Sequence, residues 1–216
     1  MDCTARMAAL LGRMRRERNG AVADSMRLYG KPYGLNYGVS LPTVRQIARA
    51  EGRNDRLARL LWLQDVRELK LAALHLAEPE SLHLSTAAFW TDGICNSELA
   101  EEAAFAFFRF APDFGSLFTA WLVAENHLLV YAALMAAART AEPDAAWVQP
   151  ALDAVQQVAG EGAPLIARGV VALLEAIGRQ NETDRQTVLR AVSPFETSPD
   201  AAQASVWEEL QWRLSE

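Results

Sequence analysis

Apolar residues recur at three- and four-residue spacings along most of the chain, and strict apolar–polar alternation is scarce. Glycine and proline fall between the apolar runs, where they act as punctuation. This pattern predicts a short helix over Thr4–Arg18 that ends in Arg13, Arg15, Arg16 and Arg18. Basic residues in a last turn complement the helix dipole, so that cluster has a structural reading as well. Asn19-Gly20 is expected to break the chain, and Tyr29–Ser40 (YGKPYGLNYGVS) reads as a loop. Ser40 is placed to cap the next helix, which runs to about Ala50 with Pro42 in its first turn. Helices follow over 55–63 and 66–77, the latter opened by Asp65 and Glu68 at capping-box spacing. Further helices are predicted over 81–91, 97–110, 114–124, 127–141, 145–159, 164–179, 183–192 and 199–213. Short breaks such as Ala111-Pro112, Glu142-Pro143 and 160–162 separate them.

The later members of successive helix pairs are expected to begin near residues 66, 97, 127 and 164. A paired-helix period of this size is that of tetratricopeptide or HEAT-like arrays. The tetratricopeptide pattern of Trp, Leu-Gly and Tyr at fixed offsets is not evident, so a degenerate HEAT-like array fits better. The expected fold is all-α, an α-α superhelix, with residues 1–216 as one repeat domain. In the helix over 97–110, Leu99, Ala103, Ala106 and Phe110 fall on one stripe with Phe107 alongside. Glu98, Glu101 and Glu102 lie off it, near a helix start that favours negative charge. The helix over 127–141 is almost entirely apolar from Leu128 to Ala138 and should be buried on most sides.

Composition agrees with a helical core. The 216 residues are 51% hydrophobic and 22% charged, which excludes wholesale disorder. The 39 Ala and 28 Leu favour helices over strands. No run approaches eighteen apolar residues, and the first twenty carry charge where a secretion signal needs an apolar stretch. Cys3 and Cys95 have no partner spacing, so no disulfide framework or structural zinc site is expected, and a reducing cytoplasm is the default.

The net charge of −6 conceals a gradient. Residues 1–70 hold 14 Lys and Arg against 7 Asp and Glu, whereas residues 71–216 hold 7 against 20. A basic end joined to an acidic array can mark a polyanion-binding region, or simply solvated helix faces.

Catalytic motifs are scarce. The glycines at 30, 34 and 38 form neither GxGxxG nor a Walker loop, and no HExxH or GxSxG occurs. His75, His83 and His127 have no ligand spacing with one another, so no metal is expected. Cys95, just before a helix, reads either as a thiol of lowered pKa or, the plainer reading, as a small buried residue. Glu98 and Glu102 share a helix face, where paired carboxylates can do acid–base work or merely satisfy a helix start. Trp62, Trp90 and Trp121 could stack on bases, but tryptophans at helical spacing are more often core.

Two segments in the first third are more specific: LNYGVSLPTVRQIA (Leu35–Ala48) and LARLLWLQDVRELKLAALHLA (Leu57–Ala77). They resemble the N-terminal signature of the AlkD-like DNA alkylation repair family. The likeness continues through NSELAEEA (Asn96–Ala103), AWLVAENHLLVYAAL (Ala120–Leu134) and ALLEAIGRQN (Ala172–Asn181), and spans residues 20–190. The resemblance implies a superhelix of HEAT-like repeats. It implies DNA glycosylase activity on cationic N3- and N7-alkylated purines, held in a basic concave groove, with no metal or organic cofactor. A carboxylate then stabilises the sugar cation as the charged base leaves.

The family's site residues align poorly. Its lesion-side Trp and catalytic Asp fall at Leu99 and Ala103, its Arg at Tyr131, and a second Trp at Val171. No Asp lies between Asp92 and Asp113. Residues 71–165 hold only Arg109 and Arg139 against 12 acidic residues. If glycosylase activity persists, Glu98 or Glu102 must replace the Asp, with Trp121 and Tyr131 as lesion-side groups. Arg45, Arg49, Arg53 and Arg56 sit at helical spacing as a DNA-phosphate stripe, or as a solvated face. Two expectations stand. One is a diverged alkylation-repair protein that acts on, or binds, double-stranded DNA through its basic N-terminal third. The other is a non-catalytic scaffold whose acidic repeats meet a basic protein partner, since fold does not fix function.

Overall fold

In a computed structural model, residues 2–28, 30, 33–158 and 160–215 are described. Tyr29, Lys31 and Pro32 of the expected loop, and Ala159 of the expected 145–159 helix, lie outside them. The described residues form thirteen α-helices and no strand, and divide into two compact units, Met1–Pro112 and Asp113–Glu216.

The first unit holds α1 (Cys3–Arg16), α2 (Gly20–Leu28), α3 (Leu41–Glu51), α4 (Asp55–Trp62), α5 (Arg67–Leu76), α6 (Ala88–Thr91) and α7 (Ser97–Ala106). Local chemistry sets most of their ends. The Ser40 hydroxyl accepts the Thr43 N–H at 3.3 Å, with Pro42 in the first turn as expected. Gly52, at φ 78°, ends α3, and Asn54 caps α4 by accepting the Leu57 N–H at 2.8 Å. Helix α5 is the centre of this unit. It packs against α3, α4 and α7, and Leu69, Leu71, Ala72, Ala73, Leu74 and Leu76 are all buried.

Three expectations need correction or extension. Asp65 and Glu68 do not form a capping box. The segment after the loop lies along the start of α5, bridged at Leu35 and Val66. There the Arg67 N–H donates to the Leu35 carbonyl at 2.9 Å, while Asp65 accepts the Gly34 N–H at 3.0 Å. Asn19-Gly20 breaks the chain as expected, but Gly20 also opens α2, a helix the apolar pattern does not predict. Asn19 caps it through the Val22 and Ala23 N–H groups. The helix expected over 81–91 is reduced to a 3-10 turn at Pro79–Ser81 and the short α6. Thr86 accepts the His83 N–H and donates to the Ser81 carbonyl, a local bonding pattern that competes with the helix.

The second unit holds α8 (Phe114–Leu122), α9 (His127–Ala137), α10 (Val148–Gln157), α11 (Ala163–Gly178), α12 (Glu182–Val192) and α13 (Ala201–Arg213). Helix α9 is buried from Leu129 to Ala137, as its sequence implies. It packs on α11 so closely that a Cβ at Gly169 would lie 3.0 Å from Leu134. The helices expected near 66, 97, 127 and 164 begin at Arg67, Ser97, His127 and Ala163.

Candidate nucleic-acid interface

Two buried polar networks organise the first unit. In one, the Arg67 guanidinium donates from Nε to Glu98 Oε2 (2.9 Å), from Nη2 to Glu98 Oε1 (2.6 Å), and from Nη1 to the Val39 carbonyl (2.8 Å). Glu68, fully buried, lies 3.1 Å from the same guanidinium and accepts the Tyr37 and Val39 N–H groups. The Tyr33 hydroxyl donates to Glu98 at 2.7 Å. Burial and the Glu98 charge push that phenol's pKa well up. Burial alone would lower the Arg67 pKa, but the bonds to Glu98 and the charges of Glu98 and Glu68 raise it. This network ties the loop segment to α5 and α7.

In the second network, Glu102 is buried and receives a two-pronged Arg45 guanidinium, Nε at 2.9 Å and Nη2 at 2.6 Å. His75 Nε2 contacts the same carboxylate. Burial would raise the Glu102 pKa, but the hydrogen bonds of His75 and Arg45 prevail and hold it below the ordinary range. Glu98 and Glu102 therefore belong to separate networks, each held by an arginine from another helix. Glu102, expected off the apolar stripe of α7, is nonetheless buried.

A cleft of about 290 Å³ opens beside the second network, lined by Arg49, Gly52, Arg53, His75, Phe105, Ala106, Arg109 and Phe110. Arg49 and Arg53 are exposed. Among the described residues the Arg49 side chain has no hydrogen-bond or ion-pair partner, and the Arg53 side chain donates only to the Ala77 carbonyl. Arg109 lies 4.3 Å from the Phe110 ring centroid and 5.3 Å from that of Phe105, while Arg45 lies 4.4 Å from Phe105. Phe110 is 48% exposed. It leaves the expected stripe because α7 ends at Ala106 and Phe108–Phe110 form a 3-10 turn.

The four arginines expected on one stripe are thus divided. Gly52 ends α3, so the helical spacing does not continue from Arg49 to Arg53 and Arg56. Arg45 is bound to Glu102, Arg49 and Arg53 line the cleft, and Arg56 is exposed in the first turn of α4. Arg109, His75, Phe105 and Phe110 were not singled out as a site. The interleaved FAFFRF run (Phe105–Phe110) beside the isolated Arg109 was the available signal.

Other sequence candidates are core residues or surface groups. Trp62 and Trp90 are buried with ring centroids 5.5 Å apart, in line with the core reading of the tryptophans. Trp121 and Tyr131 are buried within the second unit, where Arg168 Nε donates to the Tyr131 hydroxyl at 2.9 Å. Cys95 is exposed rather than buried, and desolvation raises its thiol pKa rather than lowering it. Among the described residues no His, Cys, Asp and Glu group is placed to hold a metal ion, and no helix is long and apolar enough to cross a membrane.

Residues 10–200 match the DNA alkylation repair enzyme family. The chain belongs to that family. No curated protein matches it. A solved structure represents a family described as related to the HEAT-like repeat DNA glycosylases, with affinity for branched DNA structures. It superposes with a TM-score of 0.74 at 15% identity, covering 99% of this chain and 96% of that one. At that identity the likeness establishes the HEAT-like all-helical fold.

Proposed function

We propose that this family member binds DNA, with a preference for branched or distorted duplexes, through the basic cleft of residues 1–112. The observation that carries the reading is the contrast in that unit between arginines at an open cleft and carboxylates already held in ion pairs. Arg49 and Arg53 stand exposed at the cleft, and the half-buried Arg109, whose Nε donates to the Phe105 carbonyl, lines it as well. Glu98 and Glu102 are each held by an arginine. Exposed arginines supply the phosphate neutralisation that duplex binding requires. A carboxylate already neutralised by a bound guanidinium is a poor group for stabilising a sugar cation. The branched-DNA affinity described for the fold relative supports the preference for non-linear DNA.

Fluorescence anisotropy with a linear duplex and a four-way junction tests this. We expect tighter binding to the junction, and affinity that falls steeply with salt. Equal affinity for both forms overturns the preference. A parallel assay on DNA carrying 7-methylguanine is expected to release no base. Release that is lost in Glu98→Gln or Glu102→Gln, with folding confirmed by circular dichroism, would restore the glycosylase reading.

A second reading is favoured by the charge of residues 113–216, which hold 6 Lys and Arg against 14 Asp and Glu. That unit would suit a basic protein partner on a non-catalytic scaffold. Undetectable binding to both DNA forms at low salt selects it.

A further inference from the structure

We propose that the cleft of Arg49, Arg53, Arg109 and Phe110 is a site for one unpaired nucleotide, specifically the phosphorylated end of a DNA strand. The inference rests on the DNA-binding reading and adds a ligand to it. Three features of the cleft distinguish it from a surface that tracks a duplex backbone.

The first is convergence. Three guanidinium groups line a single cleft of about 290 Å³, close to the lower end of ligand pockets (about 300–1,000 Å³). A duplex presents its phosphates singly along a strand and is matched by dispersed arginines. A terminal phosphate carries a second negative charge and three unesterified oxygens, and suits donors converging from several directions. Arg49 and Arg53 flank the end of α3, and Arg109, its Nε fixed by the Phe105 carbonyl at 2.9 Å, approaches from the turn after α7.

The second is aromatic surface beside the cations. Phe110 is an exposed large apolar side chain, and its ring lies against the Arg109 guanidinium. Aromatic rings and arginine planes both stack on unpaired bases, whereas the bases of a closed duplex are not available.

The third is what the cleft lacks. Glu102, the carboxylate next to its His75 wall, is buried and bound to Arg45 and His75. Its charge is therefore balanced behind the wall rather than opposed to an incoming phosphate.

The experiment uses the full chain and fluorescence anisotropy on duplexes with single-stranded overhangs. Ends are 5′-phosphorylated, 3′-phosphorylated or hydroxyl-terminated. We expect one phosphorylated end to bind at least about tenfold tighter than its hydroxyl counterpart, a gain of about 1.4 kcal/mol. The free nucleotide dAMP should compete, while deoxyadenosine and inorganic phosphate compete far less. Phe110→Ala should erase the gain and keep the binding of a blunt duplex, whereas Arg49→Ala should erase the gain and also weaken the blunt duplex. Both residues are exposed, so folding should be kept, as circular dichroism would check. DNA binding that ignores the terminal phosphate, or inorganic phosphate competing as well as dAMP, overturns the proposal while the DNA-binding reading stands. Binding of dAMP with no affinity for any duplex or junction overturns the strand-end site together with the DNA-binding reading.

Discussion

The Arg67 guanidinium closes on the Glu98 carboxylate with two nearly parallel hydrogen bonds, 2.9 Å and 2.6 Å, joining α5 to α7 in the interior of the first unit. The same cation faces the fully buried Glu68. Removing it leaves two carboxylates short of their counterion in low dielectric. Breaking a buried pair in this way costs about 3–5 kcal/mol. Arg67→Met is therefore expected to lower Tm by roughly 10 °C or more, at about 2–4 °C per kcal/mol. Arg27→Ala, which breaks an exposed pair with Asp24, should change stability by under about 1 kcal/mol. Thermal unfolding of the two variants checks this, and similar shifts in both would contradict a structural role for Arg67.

Glu102 gives a dependence on pH whose sign follows from its lowered pKa. A carboxyl that is more acidic folded than unfolded stabilises the protein above the unfolded pKa, about 4.3 for glutamate. The stabilisation is lost as pH falls below that value through the lower folded pKa. The variant Glu102→Gln lacks it at every pH. The difference in unfolding free energy between wild type and variant should be full near neutrality and shrink on acidification below about pH 4. Urea unfolding at several pH values measures it, and a gap constant across that window would exclude the linkage.

Much of the fold was legible because it is written locally. Ser40, Pro42 and Asn54 set helix starts with groups within three residues of one another, and the apolar stripes of α5, α9 and α11 repeat at helical spacing. What was not legible depends on distant partners. Helix α2 buries no residue, so it leaves no apolar stripe to read. Asp65 and Glu68 had capping-box spacing, but a segment about thirty residues upstream takes up their carboxylates. The burial of Glu102 was not legible because nothing near it in sequence announces Arg45 and His75. The cleft escaped notice for the same reason: its arginines come from positions that are neighbours only after α3 and α7 pack on α5.

Gly38 and Gly52 separate backbone strain from collision. Both have positive φ, 68° and 78°. A Cβ at Gly52 meets nothing within 4 Å, whereas at Gly38 it would lie 2.0 Å from the Asn19 backbone carbonyl. Gly52→Ala should cost about 1–3 kcal/mol from backbone strain alone, since φ 78° with ψ 166° suits glycine only. Gly38→Ala adds a displacement of the α2 start and should lower Tm markedly further. Equal Tm changes in the two variants would show that the loop segment yields without cost.

The arginines of the basic third should divide into two functional groups, despite their similar spacing in sequence. Arg49 and Arg53 are exposed at the cleft, while Arg45 is committed to Glu102. Each arginine that neutralises a duplex phosphate adds about 0.9 to the magnitude of the slope of log affinity against log salt. The double variant Arg49→Ala/Arg53→Ala is expected to reduce that slope by about 1–2 and to weaken all DNA forms at low salt, with little change in Tm. Arg45→Ala should show the reverse. It strips a buried carboxylate of one of its two partners, so Tm falls, while the salt slope of the remaining folded protein is unchanged. Anisotropy titrations at three or more salt concentrations, run beside thermal melts, read both effects. If Arg45→Ala changes the slope as much as the double variant does, the separation of a phosphate-facing pair from a structural arginine is wrong.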